Sequence, residues 1–231
     1  MTSPDNFNHT ILKLCSSPWV IVSDFDGTLS SKDSIKYLLE NYADDDWKIT
    51  QEKINKGDLS EVLGLEQLLK HLTIHWSDAL QIITDSITLD KYLKSFLEYL
   101  HEKNIPIIIV SSGLDVVIES LLLKNKKEFN LIVTNTLEKE DEIIKVINPY
   151  HKYSENFTNT KDAIVSQLKS EGVKIIYLGD GLSDIPAAKK ADIVFAKNDL
   201  KDFFAKNNLK YKNLNSLENV VEFLKSDIDE R

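Results

Sequence analysis

The sequence predicts an α/β protein, a doubly wound parallel sheet with a helical cap inserted after its first strand. Short runs rich in Val and Ile alternate with segments of helical periodicity, the pattern of parallel strands joined by crossover helices. Residues 33–103 break that alternation: their apolar residues recur at helical spacing, with almost no strand signal. Three strands end in polar, glycine-bearing turns. Parallel strands gather such turns on one edge of the sheet, where ligands bind in open α/β folds.

In chain order, residues 1–18 are polar and mixed, with Pro4 and Pro18, and read as a loose lead-in. Trp19–Ser23 is the first strand, since Val20, Ile21 and Val22 suit a pleat covered on both faces. It ends in Asp24-Phe25-Asp26-Gly27-Thr28. Ile35, Leu38, Leu39 and Tyr42 then make one helical face, and similar faces continue through Leu72, Ile83, Phe96 and Leu100. The expected division is a core of residues 1–32 and 104–231 with a cap over 33–103. Ile105–Val110 is the second strand, with Pro106 tolerable at its start. Ser111-Ser112-Gly113 follows, at the expected start of a helix through Leu122. Leu131-Ile132-Val133 is a third strand, and residues 136–150 suggest a small hairpin with Glu138–Glu142 at its tip. Lys161–Lys169 reads as a helix, and Val173–Leu178 as a strand ending in Gly179-Asp180-Gly181-Leu182-Ser183-Asp184. Pro186–Lys190 reads as a helix, Asp192–Ala196 as a fifth strand, and two helices finish the chain.

A length of 231 residues fits one large domain, or a core with an insert. A net charge of −9 argues against a nucleic-acid or anionic-membrane surface. Cys15 is the only cysteine, which excludes an internal disulfide or a multi-cysteine zinc site. No run approaches the roughly 20 apolar residues of a membrane span, and the first residues do not resemble a signal peptide. A cytoplasmic protein is expected; no oligomeric state follows. His71 and His75 stand at i, i+4 but lack the Glu of a zinc-protease helix, and are not read as metal ligands. Of the 28 Lys and Arg residues, only Arg231 is arginine.

Asp24 and Asp26 lie two apart, so in extended backbone they face one small volume. Crowded carboxylates repel unless they share a proton or a cation. The plainer reading is a turn with a helix cap, since Asp-Gly is a common turn signal. The other strand ends weigh against it. Ser111, with the N–H groups of Ser112 and Gly113, sits where a helix start would attract an anion. Lys161 supplies a positive charge, and Asp180 and Asp184 add carboxylates. Carboxylates suit Mg²⁺. With a lysine and an anion site they suit phosphoryl transfer: one aspartate attacks phosphorus, and its neighbour protonates the leaving alcohol and then activates water.

These motifs resemble those of the haloacid-dehalogenase superfamily of phosphatases, in its phosphoserine-phosphatase-like subclass. Asp24-Phe25-Asp26-Gly27-Thr28, Ser111, Lys161 and Gly179–Asp184 match its four motifs in order, over roughly residues 19–200. The resemblance implies Asp24 as nucleophile and Mg²⁺ ligand. It implies Asp26 as acid/base, lending the metal its backbone carbonyl, and Thr28 as the residue orienting Asp26. It implies Asp180 as a ligand, Asp184 holding a metal-bound water or Lys161, and the insert as a cap that reads the leaving group. Ser183 departs from the family's Asn, and Ser112 from its glycine.

Asp33 stands where phosphoserine phosphatases carry a substrate-contacting Glu, but also suits a helix N-cap. Those phosphatases use a cap arginine for the substrate carboxylate, and residues 33–103 contain none. Phosphoserine is therefore disfavoured. The motif forms resemble the methylthiopentenyl-phosphate phosphatases and the fungal polyol-phosphate phosphatases. The expected substrate is a small soluble phosphate ester, with polyol or sugar phosphates favoured. A phosphate-accepting signalling domain of the receiver type, or an inactive binding protein, remains as a different class. A receiver is about half this length and places its acceptor aspartate on a middle strand.

Overall fold

The computed structural model describes residues 7–140 and 143–228. Among them, seven strands form one sheet in the order β4-β3-β2-β1-β5-β6-β7. They are β1 (Trp19–Ser23), β2 (Ile107–Leu114), β3 (Leu131–Glu140), β4 (Ile143–Ile147), β5 (Lys174–Gly179), β6 (Ile193–Ala196) and β7 (Lys212–Asn213). Neighbours pair in parallel except β3 with β4. The chain leaves β1 toward β2 and β3, then returns to the other side of β1 with β5. The crevice at the carboxyl end of β1 is therefore the topological switch point. The β3–β4 pair is the expected hairpin, and its tip at residues 141 and 142 lies outside the described residues, as does Arg231.

Strand periodicity divides the core. Val20 and Val22 face one layer with Ile108, Val110, Ile175 and Val194, under α9 (Thr160–Ser170), α10 (Ile185–Ala188) and α11 (Asn198–Lys206). Ile21 faces the opposite layer with Ile107, Ile109, Ile176 and Leu178. There α6 (Leu93–Glu102) buries Leu93, Phe96, Leu97 and Leu100 beside α12 (Leu217–Phe223).

A third buried cluster joins α2 (Ser34–Tyr42), α3 (Trp47–Lys56), α4 (Glu61–Lys70) and α5 (Trp76–Ser86) to Leu114, Val117 and Val146. Residues 33–103 thus divide by packing, α6 lying on the sheet and α2–α5 forming their own cluster. Ser30 bridges Leu89, and Ser31 N–H donates to Thr88 O at 2.8 Å, so the chain's entry to and exit from α2–α5 run side by side.

Two expectations are corrected. The lead-in holds a helix, α1 (Phe7–Leu14): Phe7, Ile11 and Leu14 bury against the sheet layer, and Phe7 packs on the rings of Tyr150 and of Tyr153 in α8 (His151–Ser154). The second strand does not stop at Val110 but runs irregularly to Leu114, which pairs with Asn135. Helix α7 (Asp115–Leu122) starts only after it, so Ser112 and Gly113 are strand residues rather than a helix start. No helix among the described residues is long and apolar enough to cross a membrane.

Candidate active site

The end of β1 sets the geometry. Asp24 N–H donates to Leu178 O at 2.9 Å, fastening it to β5. Phe25 is buried in the core, and its carbonyl accepts from the N–H groups of Thr28, Leu29 and Ser30 at 3.2, 2.9 and 3.1 Å. That turn needs Gly27, whose φ is 69°, a region side chains disfavour. A Cβ there would also overlap the Asp180 carboxylate, so the glycine lets the end of β5 close on the β1 turn.

Lys161, the second residue of α9, is almost fully buried. Its Nζ contacts Asp184 Oδ1 at 2.6 Å, Asp24 Oδ1 at 2.9 Å and Ser183 Oγ at 3.1 Å. Asn159 caps α9, accepting from Asp162 N–H at 3.0 Å, and donates to Ser183 O at 2.8 Å. One residue thus ties the start of α9 to the turn after β5. Asp184 is fully buried and saturated: Oδ1 accepts from Lys161 and, at 2.7 Å, from the Tyr177 hydroxyl. Its Oδ2 accepts from the N–H groups of Asp180 and Gly181, both at 2.9 Å.

Carboxylate oxygens of Asp24, Asp180 and Asp184 lie within 4.8 Å of one another. Asp180 is oriented by the Thr28 hydroxyl at 3.3 Å and Asn198 Nδ2 at 3.0 Å. Lys197 adds a half-buried amine that donates to Thr28 O at 3.1 Å. This donor set, all oxygen and more negative than Lys161 neutralises, fits a hard divalent cation such as Mg²⁺.

The Asp26 carboxylate points elsewhere. Its Oδ1 accepts from Ser34 N–H at 3.0 Å, at the first residue of α2. Its Oδ2 lies against Gly113, where a Cβ would be 2.5 Å away. The strand end is held from β3, with Thr134 Oγ1 on Gly113 O at 2.9 Å and Asn135 Nδ2 on Ser112 O at 2.8 Å. Ser111 is buried, and its Oγ accepts from Gly113 N–H at 3.0 Å. Among the described residues its O–H has no acceptor, so the proton can be donated outward. The Ser112 hydroxyl donates to Glu61 Oε2 at 3.1 Å.

Burial and crowding dominate the electrostatics. Burial, with the charges of Asp184 and Asp180, lifts the Asp24 carboxyl well above its ordinary value against the pull of Lys161. Burial and Asp33 push Asp26 up to about 7, against the bonds from Ser34. Burial also raises Asp180, with Asp184 adding and Asn198 opposing. Burial would lower Lys161, but Asp184 and Asp24 hold it above the usual lysine range.

The structure therefore brings Asp24, Lys161, Asp180, Ser183 and Asp184 into one cluster, with Asp26, Ser111, Ser112 and Gly113 beside it. One expected contact differs: among the described residues the Thr28 hydroxyl bonds Asp180 rather than Asp26. Asp33 takes the helix N-cap position, one of its two sequence readings, its Oδ1 accepting from Lys36 N–H at 2.8 Å. His71, which follows α4, is engaged by Asp44 in the turn after α2 at 2.8 Å and by Thr50 of α3 at 3.1 Å. Tyr177, Asn159, Lys197 and Asn198 were not anticipated. The last two continue β6 as Lys-Asn-Asp, a fourth polar strand end that the same edge rule identifies.

The family profile described as haloacid dehalogenase-like hydrolase matches residues 21–189. A polyol phosphate phosphatase of Saccharomyces cerevisiae is 29% identical over 224 residues, covering 89% of this chain and 92% of that protein. A 2-hydroxy-3-keto-5-methylthiopentenyl-1-phosphate phosphatase of Bacillus cereus is 27% identical over 211 residues, covering 89% and 95%. Among solved structures, a phospho-aspartyl intermediate analogue of phosphoserine phosphatase superposes with a TM-score of 0.66 at 20% identity, covering 88% of this chain and 97% of that one. The likeness to that structure is one of fold.

Proposed function

Because the chain belongs to the haloacid dehalogenase-like hydrolases and is a phosphatase of small phosphate esters, we propose that it hydrolyses polyol or sugar phosphates through a phosphoryl group carried on Asp24. The observation that most supports this is a pair of aspartates on one turn with unlike surroundings. Asp24 is held by Lys161 at 2.9 Å, whereas Asp26 faces Ser34 and Gly113; burial raises both carboxyls, that of Asp26 to about 7. A group near neutrality serves as acid and then as base.

An Asp24 oxygen attacks phosphorus, forming the Asp24–phosphorus bond as the bond to the leaving oxygen breaks. Asp26 gives its proton to that oxygen. Asp26 then takes a proton from water as the water attacks the phosphoryl group, releasing phosphate and restoring the Asp24 carboxylate. Ser111 O–H, Ser112 N–H and Lys161 hold the phosphate oxygens, and Gly113 leaves room beside Asp26. Asp24 and Asp180, with the Asp26 carbonyl, would hold Mg²⁺, which when bound neutralises charge on the phosphate. Asp184, already accepting four bonds, anchors Lys161 and the Asp180–Gly181 turn. We assign α2–α5 as the cap, whose closure excludes water.

The leaving group is assigned as neutral and hydroxyl-bearing. Binding a carboxylate favours a guanidinium fork, and residues 33–103 contain no arginine. The single cysteine suits a reducing compartment such as the cytoplasm. The test is phosphate release from polyol, sugar, thioether and amino-acid phosphates, with Mg²⁺ and with EDTA. Mg²⁺-dependent turnover with a polyol or sugar phosphate ranked first is expected. Phosphoserine ranked first, or turnover undiminished by EDTA, would refute the reading.

A further inference from the structure

Helix α4 reaches the rim of the site. The Ser60 hydroxyl caps it by accepting from Leu63 N–H at 3.4 Å, which places Glu61 in its first turn. Glu61 Oε2 accepts the Ser112 hydroxyl at 3.1 Å. Ser112 stands between Ser111 and Gly113, and the Asp26 carboxylate lies against Gly113. Glu61 and Asp26, the group proposed to protonate the leaving oxygen, thus touch adjacent residues of β2.

This contact belongs to a docked face. Glu66, farther along α4, accepts from Val146 N–H at 3.2 Å and from Lys70 Nζ at 2.9 Å. Leu65, Leu68 and Leu69 share a buried cluster with Val146. α4 therefore lies along the β4 hairpin with its first turn held at Ser112. Among the described residues, Glu61 Oε1 has no hydrogen-bond partner, and the side chain is exposed. A carboxylate accepts hydrogen bonds and donates none.

We infer that Glu61 is a specificity-determining residue, which accepts a hydroxyl of the leaving group and repels a leaving group bearing a carboxylate. The inference rests on the phosphatase assignment of Asp24 and Asp26 and names what selects the ester at that site. An acidic residue is also favoured in a first helical turn by the helix dipole. That role alone leaves substrate preference unmoved.

The experiment compares glycerol 3-phosphate with 3-phosphoglycerate, which differ in a hydroxymethyl against a carboxylate. The readout is the ratio of their kcat/KM values in the wild type, Glu61→Gln and Glu61→Lys. Gln keeps an acceptor for the Ser112 hydroxyl and removes the charge. It is expected to shift the ratio toward 3-phosphoglycerate by roughly fivefold to tenfold, mainly through KM, the scale of one partly screened like-charge contact. Lys is expected to shift it further the same way. Ratios within about twofold of wild type in both variants, or equal losses of kcat on both substrates, would reduce Glu61 to a helix latch and overturn the inference. A wild type that prefers 3-phosphoglycerate would contradict the proposed leaving group, yet the change in ratio on substitution would still report on Glu61.

Discussion

Asp24 and Asp26 share a turn and differ through what surrounds them, so the sharpest predictions belong to single residues. Asp26→Asn is expected to lower kcat by about 10²–10⁴, the usual contribution of a positioned acid/base, with a smaller change in KM; steady-state kinetics with Mg²⁺ checks this. The same carboxyl makes a pH prediction for the metal-free protein. Its folded value is about 7 against roughly 3.9 unfolded. The folded state therefore holds the proton more tightly, and that stability is complete below about pH 4 and is lost as pH rises through 7. In EDTA, Asp26→Asn should raise Tm at pH 8 and leave it nearly unchanged at pH 4. A variant melting below wild type at pH 8 would show that the carboxylate stabilises the fold. The motif aspartates, Ser111 and Lys161 were legible because their types and order match a phosphoryl-transfer site. Tyr177 was not: it lies inside the apolar run Ile175–Leu178, and only the fold shows its hydroxyl on Asp184 at 2.7 Å.

Elements carry those residues, and their ends decide where the site falls. α9 starts at a cap that also holds the turn bearing Ser183. Asn159→Ala should cost about 1 kcal/mol for the lost cap, read from chemical denaturation, and should lower kcat/KM because Lys161 loses its register. Unchanged stability would mean that the cap is dispensable. α1 shares a buried cluster with Val20 and Val22 of β1, and Phe7→Ala should cost about 3–5 kcal/mol, as for a large aromatic removed from a core. An effect under about 1 kcal/mol would show α1 to be peripheral. The Phe7, Ile11, Leu14 spacing is helical in the sequence, but eight residues cannot hold a helix alone. Its contacts with Tyr150 and Tyr153 depend on tertiary structure. The extension of β2 was hidden for a related reason: Ser-Ser-Gly has poor strand propensity, and pairing with β3 near Asn135 overrides it.

At the scale of the whole molecule, alternating strands and helices made the sheet legible, and its order put the motif turns on one edge. Sequence did not reveal that α6 belongs with the sheet, because helical periodicity reports which face is buried and not against what. The proposed Mg²⁺ site predicts a fold that responds to cations. Mg²⁺ at about 100 times its Kd should add about 2.7 kcal/mol to stability, visible as a rise in Tm. Asp180→Asn should lose most of that rise, and an equal rise in the variant would place the cation elsewhere. The central claim is that phosphate passes through Asp24. Its most direct test is acid quenching during turnover of an ester carrying radiolabelled phosphate. Protein-bound label that hydroxylamine releases, and that Asp24→Asn never acquires, is the predicted result. Turnover without bound label in the wild type, or label persisting in Asp24→Asn, would contradict the claim.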